Sequence, residues 1–247
     1  GKILMQMIDP SVGDESDPLS CDPALDPFNP ENGYRQPPES SHYAPEFVAH
    51  YRAAQQARVQ RLDTIARELL QQRSTARRAI AASDFAAHSW PAQARALRGA
   101  VACPYMIIYR TEADLRAFDL SLDPSERDAG SLFSYRPDLT NYMEFGFARV
   151  QTPRAWLSTW SGLSSNADVV ANAAKITVPS MIIYYRGDNA IFPSDARSVF
   201  GAIAAPDKQL ASAPGDHYGF GVGTQERTGA PLALAQVVTW LRERFPS

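Results

Sequence analysis

Between Val178 and Phe245 the chain switches twice from a short apolar run to a helical periodicity, and this alternation constrains the fold more than any other feature. Val178-Pro179-Ser180-Met181-Ile182-Ile183-Tyr184-Tyr185 reads as a buried strand entered through a proline. Ser194 to Ile203 reads as a short helix and Gln209-Leu210-Ala211-Ser212 as a second strand. A terminal amphipathic helix follows, its inward stripe formed by Leu234, Val237, Val238, Leu241 and Phe245. Pro231 sits near its first turn and Pro246 just past its end, as helix boundaries prefer. Strands separated by helices imply parallel pairing, because a parallel pair needs a crossover, and parallel sheets are covered on both faces. The expected class is therefore α/β, a mostly parallel sheet flanked by helices.

The upstream chain supplies further pieces. Ile3 to Ile8 is a nearly continuous apolar run ended by Asp9-Pro10, which reads as another buried parallel strand. It begins at once, without a charged leader, a long apolar stretch or a cleavage site, so it is expected to be a strand whose upstream chain is absent rather than a signal peptide. Residues 10–45 hold eight prolines and the acids Asp14, Glu15, Asp17, Asp22 and Asp26, the composition of irregular chain wrapped over a surface. From Ala44 to Ile80 the apolar positions Phe47, Tyr51, Val59, Leu62, Ile65 and Leu69 recur at helical steps, with Ser41 placed to cap and Pro45 suited to the first turn. Residues 44–98 carry nine arginines against four acids. A solvated face complementing the acidic first forty residues is the expected reading, and a funnel for an anionic substrate is the alternative. Pro104 to Tyr109 and Phe118 to Leu122 read as strands, and Asp123-Pro124-Ser125-Glu126 as a turn. Tyr142, Phe145, Phe147, Trp156 and Trp160 crowd into twenty residues, as core or as the wall of a pocket.

Several function classes are disfavoured. A formal net charge of −3 and a pI near 5.8 lack the basic excess of a nucleic-acid binder. No run of 18 apolar residues exists, so no membrane-spanning helix is expected. Cys21 and Cys103 have no CxxC spacing; they could pair, but the expectation is two free thiols. G-x-G-x-x-G, P-loop and HExxH motifs are absent and the four histidines are dispersed, so neither a cofactor nor a metal is expected.

Two residues stand where chemistry is expected. In open parallel sheets ligands sit outside the carboxyl ends of the strands. Asp188 lies three residues past the Met181–Tyr185 run, and His217 follows the next strand in Pro214-Gly215-Asp216-His217-Tyr218. A carboxylate there can fix the tautomer of the imidazole, which then serves as general base for a nucleophile. The other histidines, His42, His50 and His88, fall in helical or irregular sequence and read as surface residues.

In these segments the chain resembles the closing section of an α/β-hydrolase, whose catalytic acid follows the penultimate core strand and whose histidine follows the last. Val178 to Asp188 looks like the proline-led strand and acid loop, with Pro193 opening the next helix. Gly215-Asp216-His217-Tyr218 looks like the histidine loop, Val238-Thr239-Trp240-Leu241 the closing helix, and Ile3 to Pro10 the strand that follows the nucleophile helix. The resemblance implies a core strand in residues 1–11, a large mixed helical and strand lid inserted over 12–170, and the C-terminal core with its acid and histidine loops in 171–247. There are departures. Tyr185 stands where the commonest pattern has glycine three residues before the acid, Asn189 offers an alternative register, and Asp9 and Asp216 are rival acids.

The nucleophile elbow, typically G-x-S-x-G, is missing. Gly162-Leu163-Ser164-Ser165-Asn166 has only its first half, and Gly130-Ser131-Leu132 less. The resemblance thus implies a hydrolase of an ester, lactone or related acyl bond whose nucleophile lies upstream of this chain, on a fragment or neighbouring chain of the same enzyme. His217 would be the base and Asp188 its orienting acid. A catalytically silent ligand-binding or scaffolding protein is the alternative.

Overall fold

The computed structural model describes residues 4–224 and 226–245. The protein is mixed α/β, with helices α1 (Leu4–Met7), α2 (Pro45–Ile80), α3 (Trp90–Val101), α4 (Pro137–Thr140), α5 (Pro153–Ala155), α6 (Val169–Ala173), α7 (Pro193–Ala202) and α8 (Gly229–Arg244). Two small sheets accompany them. Strands β1 (Met106–Ile107) and β2 (Val150–Gln151) pair antiparallel, whereas β3 (Ser180–Tyr185) and β4 (Lys208–Ala213) pair parallel in the register Ser180 with Lys208 through Tyr185 with Ala213. Among the described residues each sheet has two strands, so the broad parallel sheet expected from the sequence is not present there.

The long helix α2 organises the first half. Its buried stripe, Tyr51, Gln55, Arg58, Val59, Leu62, Asp63 and Ala66, follows helical steps and mixes apolar with polar side chains. Val59, Leu62 and Ala66 join Leu4, Met7, Ile8, Met106, Ile108 and Trp156 in one core. The polar members bind loop backbone. Gln55 Nε2 donates to the carbonyls of Gln6 (2.6 Å) and Ile8 (2.7 Å), and Arg58 donates to those of Asp9 (2.6 Å) and Tyr109 (2.8 Å). Arg58 and Arg61 both pair with Glu15 at 2.8 Å, so part of the arginine excess does meet the acidic N-terminal segment.

These bonds explain a correction. The run expected as a strand from Ile3 to Ile8 contains the single helical turn α1, with Ile3 outside the described residues. The Gln6 and Ile8 carbonyls are taken by side chains of α2, Leu4 O by Ile8 N and Met7 O by the single backbone bond from Ala113 N, so no strand ladder is needed. Phe118 to Leu122 is also no strand. Asp119 Oδ1 accepts from Ser121 N (2.9 Å) and Oγ (2.6 Å), closing a turn, and Asp119 Oδ2 accepts from Tyr43 N (3.0 Å). Of Pro104 to Tyr109 only β1 is strand. Ser41 does not cap α2, which starts after Ala44; its hydroxyl instead accepts from Arg35 N at 2.9 Å.

A second core joins Phe28, Tyr34, Tyr43, Tyr51, Leu115 and Phe118 to Phe192, so the chain just after Asp188 is anchored in the first half. Around β3 a third cluster gathers Ala173, Ile203 and Ala205 with Ile182 and Val199. Of the stripe expected to face inward on α8, Leu234 (62%), Leu241 (43%) and Phe245 (60%) are exposed and only Val237 and Val238 are half-buried, while Trp240 is turned in. Arg244 lies 4.7 Å over the Trp240 ring and pairs with Asp207 at 2.7 Å, fixing that rotation. No helix among the described residues is long and apolar enough to cross a membrane. Both cysteines are free and exposed.

Candidate functional site

The parallel pair β3 and β4 continues past its ends and stitches two loops together. Arg186 N donates to the Ala213 carbonyl and Gly187 N to the Gly215 carbonyl, each at 2.9 Å. Gly187 is required by this closeness, since a Cβ there would collide with Val222 Cγ2 and come 2.8 Å from the Gly215 carbonyl oxygen. Gly215 has φ +131° and Gly219 φ +78°, values that glycine adopts without strain. Asp188 and His217 follow directly from this junction.

His217 Nδ1 lies 3.1 Å from Asp188 Oδ1 and 3.0 Å from Oδ2. A carboxylate only accepts, so Nδ1 carries the proton and the neutral ring presents its lone pair at Nε2. Asp188 is buried, and its Oδ1 also accepts from Ala190 N (2.7 Å) and Ile191 N (3.0 Å). The hydrogen bond donated to Asp188 raises the His217 pKa above its ordinary value; partial burial opposes it, and the charges of Asp188 and Asp216 add to the rise. The imidazole is one-third exposed, and Nε2 makes no hydrogen bond among the described residues.

The rival acids are occupied elsewhere. Asp9 accepts from Ser11 N (2.9 Å), Ser11 Oγ (2.7 Å) and Asn141 Nδ2 (3.0 Å), deep beside Arg110. Asp216 Oδ1 accepts from Tyr218 N and Phe220 N, both at 2.9 Å, and so shapes the histidine loop. Asn189 donates to the Gly130 carbonyl at 3.3 Å, tying the acid loop to the segment that follows Arg127. The other histidines are exposed, as expected.

A cavity of about 380 Å³ adjoins His217, lined in part by Asp128, Ser131, Phe133, Ser134, Tyr135 and Tyr218. None of Tyr142, Phe145, Phe147, Trp156 or Trp160, the aromatics that sequence offers as pocket wall, lines it. Trp156 is fully buried with Nε1 donating to Asp63 at 2.8 Å, and Trp160 packs on the first core. Apart from Ser131, sequence reasoning missed the segment 128–135; the signal available was Ser131-Leu132-Phe133-Ser134-Tyr135, two serines and two aromatics in five residues between Gly130 and Pro137.

The two serines weighed as nucleophiles separate. Ser164 donates to Asp63 and accepts from Arg67 at 2.6 Å, within the α2 network. Ser131 lines the cavity, but its hydroxyl accepts from Ser134 N (3.2 Å) and lies 3.3 Å from the Ser134 carbonyl, bracing its own turn. Among the described residues no group of three or more histidine, cysteine, aspartate or glutamate side chains is placed to hold a metal. The arrangement can do one thing chemically: accept a proton at Nε2 and stabilise the resulting imidazolium through Asp188. No protein-family model, curated protein or solved structure matches the chain.

Proposed function

We propose that this chain supplies the acid and the base of a hydrolase acting on an ester, lactone or related acyl bond. In this reading His217 takes the proton of a nucleophile at Nε2 and returns it to the leaving group, and Asp188 holds the ring and stabilises its charged form. The nucleophile comes from a segment of the same enzyme outside this chain. β3 and β4 belong to the parallel sheet of an α/β-hydrolase core, and residues 12–170 are its lid.

The observation that carries the reading is the contact of His217 Nδ1 with both Asp188 oxygens at the carboxyl ends of two parallel strands, with Nε2 unbonded among the described residues and His217 lining a cavity. A fluorophosphonate probe tests it on the complete enzyme. Labelling of one serine, abolished by His217→Ala, is expected, together with turnover of p-nitrophenyl acetate. Absence of both labelling and turnover overturns the proposal.

A second reading, a silent ligand-binding homologue, draws on the absence of any described hydroxyl or thiol bonded to Nε2. It predicts ligand binding at the cavity with no labelling.

A further inference from the structure

The cavity beside His217 has a chemical bias that proton transfer does not explain. Two carboxylates beyond the dyad line it, Asp128 and Asp216. Asp128 is exposed and enters no hydrogen bond or ion pair among the described residues. Four aromatic rings border the same space, and Phe133 (42%), Tyr135 (64%) and Tyr218 (53%) stand open to solvent. Among the described lining residues there is no lysine or arginine.

These features select a ligand class. Exposed large apolar groups gathered at one cleft mark a binding surface. A cleft lined by charge of one sign concentrates ligands of the other. Aromatic faces attract cations through their quadrupole, and alkylammonium ligands are held by rings in this way. The two serine hydroxyls of the wall are engaged locally. Ser131 is held by the Ser134 backbone, and Ser134 Oγ accepts from Arg136 N at 2.8 Å. The fold also seats a cation on the fourth ring already: Arg227, outside the lining, lies 5.1 Å over Phe220 and donates to the Tyr218 carbonyl at 2.9 Å.

We infer that the cavity takes a substrate bearing an alkylammonium group, held by Asp128 and Asp216 and by the open rings of Phe133, Tyr135 and Tyr218, and turns away carboxylates. The word substrate rests on the hydrolase reading; the preference for a cation does not.

Choline, 3,3-dimethylbutan-1-ol and 3,3-dimethylbutanoate form a set matched in shape that is cationic, neutral and anionic. Each is titrated into the full chain, with affinity read by calorimetry and location by the nuclear magnetic resonance shifts of the His217 ring. Choline should bind at least about tenfold more tightly than the alcohol, and the carboxylate should not bind. Asp128→Asn and, separately, Phe133→Leu should each weaken choline about three- to tenfold. Equal or reversed affinities, no binding of choline, or choline binding indifferent to both substitutions overturns the inference. Neutral-ester turnover by the complete enzyme without cation preference sinks this inference alone; cation preference without turnover sinks the hydrolase reading alone.

Discussion

The guanidinium carbon of Arg116 lies 4.1 Å from the centroid of the Phe192 ring, four residues beyond Asp188. Arg127 approaches the same ring at 5.1 Å, and Asp195, paired with Arg116 at 3.1 Å, accepts from Phe192 N at 3.0 Å. The far end of the acid loop is thereby clamped to the first half of the chain. Phe192→Ala should cost about 3–5 kcal/mol in denaturant unfolding, because the ring is fully buried. Phe192→Leu keeps most of the apolar volume but loses the cation–π contacts, and should cost about 1–2 kcal/mol.

The dyad has a pH signature. His217 gains a proton more readily in the folded state, so its contribution to stability is full below the unfolded pKa near 6.5 and fades as pH rises through the higher folded value. The ring is one-third exposed, so this contribution is small, under about 1 kcal/mol. Asp188→Asn should bring the nuclear magnetic resonance titration of His217 down toward 6.5. On the hydrolase proposal, the acidic limb of kcat/KM should move down with it while kcat falls by several orders of magnitude.

Glu112 carries a larger linkage of a different kind. Burial pushes its carboxyl up to about 8, with Arg149 pulling weakly the other way, and Oε1 has no hydrogen-bond partner among the described residues. Between pH 4.5 and 8 the folded state therefore holds a proton that the unfolded chain releases, and stability falls as pH rises through that window. Glu112→Gln should remove this slope. At pH 9 the variant should exceed the parent by a few kcal/mol, because each tenfold change in proton affinity is worth about 1.4 kcal/mol. Urea unfolding at pH 5 and pH 9 measures the difference.

Ser164 and Trp156 share Asp63 as partner and should behave as structure. Trp156→Ala should cost about 3–5 kcal/mol and Ser164→Ala about 1–2 kcal/mol, the latter because it leaves a bond of buried Asp63 unmade. On the hydrolase proposal, neither substitution should abolish fluorophosphonate labelling. Loss of labelling in Ser164→Ala would return that serine to the role of nucleophile.

What could be read from sequence divides along a physical line. β3, α7 and β4 were legible because Met181 to Tyr185 and Gln209 to Ser212 form their ladder with each other, within the span that the pattern covers. α2 was legible because its stripe keeps one period from Tyr51 to Ala66. Leu4 to Met7 was not, since the short, nearly continuous apolar run from Ile3 to Ile8 has no period to distinguish strand from helix, and its partners Gln55 and Arg52 lie far along the chain. The orientation of α8 depended on Arg244 meeting both Trp240 and Asp207, a contact that hydropathy does not encode. Asp188 and His217 were found through strand-end position; Asp128 and Phe133 were not, because they reach the cavity from a turn with no pattern of its own.

The missing Cβ of Gly187 has a mechanical consequence. With the Gly215 carbonyl and Val222 filling that space, the acid and histidine loops cannot slide past one another without breaking the Gly187 to Gly215 hydrogen bond. They form the fixed jaw of the cavity. The turn at 131–135 is braced largely by its own hydroxyls and by the Phe133 ring set against Phe147, with Gly130 bonded to the Ala117 carbonyl and to Asn189 at its root. Few bonds must break for that turn to swing, so any ligand of the cavity is expected to enter and leave past it rather than between the acid and histidine loops.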